Sequence, residues 1–559
     1  MLSVQAQTTR RVDNETILVY NRGGIVPLTQ LDSRTIVVVT PQRARYAAFT
    51  AMLARYAEIS ETDFHGYSED TKFGNTILLA GRASELTTDI LLKARQSASI
   101  GKEVIVCTFA DNSGDIYRSV PQFGGQLTEL LAAGADMIAQ RHMAMSLFGG
   151  MAITQGLPSN RTTSTRIQYG QAHNTAWDIA TLTQKIDKIA AEAIQQQATP
   201  GLVVMALKNN QVFFEKAYGY HTYEKKIPTR LDDLFDLASI SKIAGTTPVV
   251  MHLYEQGKIA LEKTIGDYLW DSKETNKADV TLRSVMLHEA GFVPYIPFYR
   301  QLKEGDVQAY PSPSHPLKLA DQAYLLANYY RQVMWPQMLQ SPVEPVGNYV
   351  YSDISMYVMK EIVEQVSSTP MDSYVRQWLY KPLGMKTAGY NPRERFDKKR
   401  IVPTEEDKVF RKVLLEGYVH DQGAAMAGGV AGHAGLFATA NDLAIYGQLL
   451  LNRGTYGGTR YLQGATVDLF TSKQSQTSRR GLGFDRYDGK HDYPSHLSND
   501  SVYGHTGYTG TCIWIDPRNQ LIYIFLSNRV HPQVSSKLGD LNIRSRIQDA
   551  IYETILMDR

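Results

Sequence analysis

Ser239-Ile240-Ser241-Lys242 stands immediately before an apolar stretch that runs to Gln256. The spacing predicts Ser239 at a helix start, with Lys242 one turn later on the same face. A serine hydroxyl is a poor nucleophile until a base takes its proton, and a desolvated lysine can serve as that base. The helix start adds backbone N–H groups and a field that favours developing negative charge. Taken alone the tetrapeptide also reads as an N-cap serine followed by an exposed lysine. Ser99-Ile100-Gly101-Lys102 has the same spacing, but it precedes a predicted strand and contains a helix-interrupting glycine, so it reads as a loop.

Two further stretches strengthen the first reading. Tyr351-Ser352-Asp353 precedes the helical stripe Ile354, Tyr357, Val358 and Ile362. That loop-to-helix position can project a phenol into a cleft, where it can act as general acid or base. His505-Thr506-Gly507-Tyr508-Thr509-Gly510 precedes a strand over 512–515. Small residues on a sheet edge let a substrate backbone approach and pair with it. By themselves Tyr351 reads as one of 33 tyrosines in a core or interface, and His505 as a strand residue. Their order after Ser239 and Lys242 joins them into one constellation.

The rest of the composition narrows the class. The chain has 559 residues, room for about two to four domains. Lys plus Arg number 58 and Asp plus Glu 56, a net +2 with no long basic block, which argues against a nucleic-acid partner. The two cysteines, Cys107 and Cys512, exclude a disulfide framework and a cysteine zinc site. His288, His420 and His433 lack helical spacing to one another and read as structural, and Asp421 reads as turn chemistry, so neither metal nor cofactor is expected. No apolar run approaches the roughly 20 residues of a membrane span. Val4-Gln5-Ala6-Gln7 looks like the tail of a signal-peptidase site, but no apolar segment precedes it. A cytoplasmic protein is expected if Met1 is the true start.

Along the chain, apolar runs at 36–39, 77–80 and 104–107 read as buried parallel strands. Ala44 to Tyr56, Leu86 to Arg95 and Gln126 to Ala133 read as helices between and after them, an α/β rhythm. Leu157 to Gln171 reads as a linker, giving an α/β domain over 1–170 and a second domain over 171–559. The second opens with the helical stripe Ile179, Leu182, Ile186, Ile189 and Ala193 and a hairpin around Asn209-Asn210. It closes with a hairpin around Asp516 to Asn519 and a helix over 541–556. Helices against an antiparallel sheet, an α+β fold, are expected. Tyr295 to Val346, rich in Pro, Tyr and Gln, reads as a long insertion that either lines a cleft or decorates the surface.

From about residue 175 onward the chain resembles the serine β-lactamase and penicillin-binding-protein superfamily, nearest its class C and esterase-like branch. The resemblance implies Ser239 as acylated nucleophile, Lys242 as its proton acceptor and Tyr351 as acid/base. It implies the backbone N–H groups of Ser239 and Tyr508 as oxyanion hole, with Asp353 at a position usually held by Asn that contacts the substrate. Leu287-His288-Glu289-Ala290-Gly291 and Gly432-His433-Ala434-Gly435-Leu436-Phe437 resemble architectural stretches of that superfamily. Residues 15–165, through Thr16 to Asn21, Val26-Pro27-Leu28, Phe148-Gly149-Gly150 and Gly156-Leu157-Pro158, resemble the C-terminal α/β sandwich domain of glycoside hydrolase family 3. Together they resemble bacterial fusions of a β-N-acetylhexosaminidase with a β-lactamase-like domain, without the glycosidase barrel.

His505 stands where the superfamily has lysine and Asp353 where it has Asn. A neutral imidazole attracts a carboxylate less than an ammonium does, and an extra aspartate adds negative charge. Both favour esters, D-amino-acid peptides or related amides over penicillins. The expected function is a metal-independent serine hydrolase acting on D-alanyl peptides or esters from peptidoglycan, of carboxypeptidase or esterase type, in the periplasm or cell envelope. Thr506, Gly507 and Tyr508 are expected to bind substrate and His505 to take part in catalysis. Two alternatives stand beside it. One is a penicillin-recognising or muropeptide-binding domain without turnover; the other is a cell-wall component whose sandwich domain docks on a separate glycosidase barrel.

Overall fold

The structure is a computed structural model that describes residues 16–68, 70, 73–111, 127–155, 158–170 and 177–556. Its contacts divide the chain into two compact units. One runs through Tyr169 and takes in Pro382–Lys386 and Gly457–Thr459; the other holds the remainder from Gly170.

The first unit is built on a six-stranded sheet in the order β1-β6-β5-β4-β2-β3: β1 (Thr16–Tyr20), β2 (Ile36–Thr40), β3 (Ile59–Asp63), β4 (Thr76–Arg82), β5 (Glu103–Phe109) and β6 (Thr128–Ala132). All neighbours are parallel except β1, which runs antiparallel to β6. Helices α1 (Ala47–Tyr56) and α2 (Thr88–Ser99) make the crossovers from β2 to β3 and from β4 to β5, and α3 (Met137–Leu147) follows β6. β2, β4, β5 and β6 are buried on both faces, as parallel strands between helix layers are, and β6 buries even Glu129. This accounts for one correction. The helix expected over 126–133 is strand β6, buried at every position, and a strand without a polar face has no period of two to read. Ser99 ends α2, and Ile100 to Lys102 form the turn into β5, with the Lys102 ammonium bound to main-chain carbonyls. Gly156, and Leu157 and Gln171 of the expected linker, lie outside the described residues.

The second unit is centred on an antiparallel sheet in the order Asp485–Arg486, Tyr503–Thr506, Cys512–Asp516, Leu521–Ser527, β7 (Gly201–Lys208), β8 (Gln211–Gly219). Alternation along β7 sends Leu202, Val204 and Ala206 to one face, where α4 (Ile179–Gln195) and the Ile543–Leu556 helix cover them with Leu182, Ile186, Ile547 and Ile551. Each fully buried Leu, Ile or Val among them contributes about 1.5–3 kcal/mol. The Ala440–Leu451 helix packs on the opposite face. Tyr503–Thr506, which carries His505, is the second strand of this sheet, paired with Asp485–Arg486 on one side and Cys512–Asp516 on the other. The Tyr295–Val346 segment carries a small three-stranded sheet and the Trp335–Gln340 helix. Its root forms part of the site wall, since Asp353 N donates to Pro294 O at 2.9 Å.

Candidate active site

Asp236 fixes the turn that carries Ser239. Its carboxylate accepts from Ala238 N at 2.9 Å and His420 N at 2.6 Å, and its strand pairs with Phe437. Ala238 takes a left-handed φ of +46°, an uncommon conformation for a residue with a Cβ, and the chain enters the helix directly after it. That helix begins as a π-helical stretch, Lys242–Thr246, followed by α5 (Thr247–Glu255). Pro248 has no N–H to give to Ala244 O, and Tyr380 Oη supplies the missing donor at 2.7 Å. Thr247 Oγ1 caps Lys242 O at 2.7 Å, and Tyr446 Oη caps Ile243 O. Side chains thus satisfy the widened turn, which presents Lys242 inward, fully buried.

Lys242 Nζ donates to Ser239 Oγ at 2.9 Å and to Asp353 Oδ1 at 2.8 Å. Tyr351 Oη donates to the same Ser239 Oγ at 2.9 Å. The Tyr351 ring centre lies 4.7 Å from Lys242 Nζ and 5.3 Å from the Arg480 guanidinium, so a phenolate formed during proton transfer would sit between two cations. Burial works to lower the basicity of Lys242, but the charges of Asp353 and Tyr351 outweigh it and hold the ammonium above its ordinary value.

His505 is buried, 3% exposed, on the Tyr503–Thr506 strand. Its Nε2 meets Arg480 Nη1 at 3.1 Å and its Nδ1 meets Thr506 O at 2.7 Å. Burial, then the charges of Arg480 and Lys242, push the imidazole down to about 3, so it is neutral at physiological pH. Thr506 ends the strand opposite Cys512. Gly507 is required for close approach: a Cβ there would lie 2.1 Å from Thr511 Oγ1 and 2.5 Å from Leu237 O. The turn it opens is tied to the nucleophile turn by Thr509 Oγ1 to Asp236 O at 2.7 Å and Thr511 Oγ1 to Leu237 O at 3.2 Å. Among the described residues, the N–H groups of Ser239 and Tyr508 donate to no partner. The Tyr508 side chain is half exposed and its carbonyl accepts from Arg529 Nε.

The structure therefore gathers Ser239, Lys242, Tyr351 and Asp353 directly, and sets His505 one side chain behind Tyr351, ring centres 6.0 Å apart. Sequence reading passed over Arg480, a guanidinium almost wholly buried between His505, Tyr349 and Tyr351. Its one signal is the Arg479-Arg480 doublet 25 positions before His505. Arg479 takes the bidentate pairing with Asp485, leaving Arg480 3.7 Å from that carboxylate. His288 also does more than shape a turn: its Nδ1 accepts from Ser352 N at 3.2 Å and its ring backs Tyr351 at 4.7 Å. Asp421 caps the Gln422–Met426 helix and also pairs with His433, while His420 pairs with Glu405.

This fold and constellation define the serine acyl-transferase class. The family model described as Beta-lactamase matches residues 186–547, and the chain belongs to that family, whose homologues are serine hydrolases. A protein of Escherichia coli (strain K12) named "Putative D-alanyl-D-alanine carboxypeptidase" is 31% identical over 373 residues, covering 62% of this chain and 82% of that one. A protein of the same name from Salmonella agona (strain SL483) is 30% identical over 374 residues, with the same coverage. Among solved structures, EstCE1, a hydrolase with promiscuous acyltransferase activity, aligns with a TM-score of 0.51 at 20% identity, over 67% of this chain and 99% of its own. The octameric penicillin-binding protein homologue from Pyrococcus abyssi aligns at 0.51 and 18% identity, over 66% of this chain and 78% of its own. Among the described residues, no helix is long and apolar enough to cross a membrane.

Proposed function

We propose that the chain is a serine hydrolase that works through an acyl-enzyme on D-alanyl peptides or esters derived from peptidoglycan, in the cell envelope. The observation that carries this reading is the single oxygen Ser239 Oγ held at 2.9 Å by both Lys242 Nζ and Tyr351 Oη. The base is the Lys242–Tyr351 pair less one proton, a coupled unit. It accepts the Ser239 proton as Oγ bonds to the substrate carbonyl carbon, and the N–H groups of Ser239 and Tyr508 receive the oxyanion. The pair returns that proton to the leaving amine or alcohol as the acyl bond breaks; water then repeats the sequence on the ester. Arg480, backed by His505, supplies the fixed positive charge that the missing lysine would have given, and suits a leaving group that ends in a carboxylate.

Names of relatives support the substrate class, since two of them, at 30% and 31% identity, read "Putative D-alanyl-D-alanine carboxypeptidase". The test is intact-protein mass after treatment with a fluorophosphonate and, separately, a penicillin, on wild type and Ser239→Ala. A single adduct that requires Ser239 supports the hydrolase. No adduct on folded protein overturns it.

A second reading, a penicillin-recognising or muropeptide-binding domain without turnover, is favoured by the Lys242–Asp353 ion pair, which disfavours the free base. A penicillin adduct that persists for hours would mark it. For residues 1–170 the stretches quoted above support the family 3 sandwich domain, and with it docking on a glycosidase barrel. Co-elution with such a barrel, and N-acetylglucosaminide cleavage by the mixture alone, tests that reading.

A further inference from the structure

Beyond Lys242 the cleft wall carries a second polar cluster that the reaction above does not use. One donor atom each of Asp353, Asp421 and His433 lies within 4.8 Å of the others. His433 Nε2 meets Asp421 Oδ1 at 3.0 Å, and Ala424 N donates to the same oxygen at 2.7 Å. Burial acts to raise the Asp421 carboxyl, but His433 and the Ala424 N–H outweigh it and hold it well below the usual carboxylate range, so it is ionised. About a third of its side chain, and a quarter of that of Asp353, still faces open space.

An independent observation points to the same spot. Tyr357 is 4% exposed, yet among the described residues its hydroxyl has no hydrogen-bond partner, although a buried hydroxyl normally finds one. The carboxylates of Asp421 and Asp353 both act on it electrostatically. A Cβ on Gly423 would stand 2.7 Å from Tyr357 Oη and 3.4 Å from Asp421 Oδ1, so the glycine keeps open the space between them. Lys242 pairs with Asp353 Oδ1 and His433 with Asp421 Oδ1, and among the described residues no hydrogen bond reaches the second oxygen of either carboxylate.

We propose that this pocket binds a primary ammonium group carried by the acyl portion of the substrate, on the side of Ser239 away from Arg480. The inference rests on the hydrolase reading and sharpens its substrate class to amides and esters with a free amine. An ammonium has three N–H donors, which match Asp421, Asp353 and the Tyr357 oxygen. A divalent cation fits less well, because the Lys242 ammonium, 2.8 Å from Asp353, would stand against it. With Arg480 across Tyr351, the cleft is then arranged for a substrate that is positive at one end and negative at the other.

Calorimetry on Ser239→Ala protein, titrated with D-alanyl-D-alanine and with N-acetyl-D-alanyl-D-alanine, tests it without turnover. The two ligands share the carboxylate and differ in the amine. The free amine is expected to bind about tenfold tighter or more. Asp421→Asn in the same background, which keeps an N-cap oxygen, is expected to erase that preference, and Tyr357→Phe to reduce it about threefold. Equal or inverted affinity overturns the inference, as does a preference that survives both substitutions. Stoichiometric binding of Zn2+ or Mn2+ that Asp421→Asn abolishes would also overturn it, assigning the pocket to a metal. Failure of the hydrolase reading shows separately, as wild-type protein that a fluorophosphonate does not label.

Discussion

Arg480 Nη1 meets His505 Nε2 at 3.1 Å, and His505 Nδ1 is engaged by the carbonyl of Thr506. Because the imidazole is neutral, positive charge on this side of the cleft belongs to the guanidinium. Two departures seen in the sequence, histidine for lysine and aspartate for asparagine, thus have different consequences. The first is compensated by Arg480 from another loop; the second pairs with Lys242 and raises its proton affinity.

Arg480→Gln is therefore expected to lower kcat/KM for a peptide ending in a free D-alanine by about 10- to 100-fold, the worth of a hydrogen-bonded charge of about 1.5–3 kcal/mol. Loss against the C-terminal amide of the same peptide should be much smaller. Equal losses on both would place Arg480 in the scaffold alone. Steady-state kinetics on the matched pair decide the matter.

How much of this was legible beforehand follows from what each feature depends on. The Ser239–Lys242 spacing, the Tyr351 loop and the His505 strand are local patterns, and the structure brings Ser239, Lys242, Tyr351 and Asp353 within hydrogen-bond reach. The hairpins at 209–210 and 516–519 were legible from the turn residues Asn209-Asn210 and Asp516 to Asn519 set between two apolar runs, although β7 and the strands Cys512–Asp516 and Leu521–Ser527 are buried on both faces. Strand β6 was not, because burial on both faces erases the period that separates strand from helix. Arg480 and the Tyr357–Asp421 pocket depend on contacts across loops, which leave no periodic trace. The π-helical start of α5 was equally hidden: Pro248 hints at it, but Tyr380 and Tyr446, which satisfy its carbonyls, lie far along the chain.

Gly507→Ala should damage the oxyanion site more than the fold. Its Cβ would meet the Leu237 carbonyl at 2.5 Å, which is backbone and cannot swing away, so the Tyr508 N–H must shift from the nucleophile turn. Loss of one oxyanion donor costs about 2.7–4 kcal/mol, so kcat on a p-nitrophenyl ester is expected to fall about 10²–10³-fold. Retained activity would argue that Tyr508 N–H is not such a donor.

Acid stability carries a signature of the two buried histidines. Burial, then Arg480 and Lys242, hold His288 well below its ordinary value, and His505 is pushed down to about 3. The unfolded chain protonates both near about 6.5 while the folded chain does not. Each histidine therefore costs about 1.4 kcal/mol of stability per pH unit as pH falls below about 6.5, for His505 as far as about 3. His505→Gln is expected to flatten the fall in unfolding midpoint between pH 6.5 and 4 relative to wild type. Parallel curves would mean that His505 is charged in the folded protein.

Asp353→Asn tests what the second departure does to the base. Asp353 Oδ1 lies 2.8 Å from Lys242 Nζ and raises its proton affinity against the opposing effect of burial. Without that charge burial dominates, and Lys242 gives up its proton at lower pH. The rising limb of the pH dependence of kcat/KM is expected to move to lower pH, increasing activity near neutrality on an ester without a free amine. On a substrate with a free amine the same substitution also removes an acceptor of the ammonium pocket, so KM should rise. A limb that stays in place would show that the base is not the Lys242–Tyr351 pair.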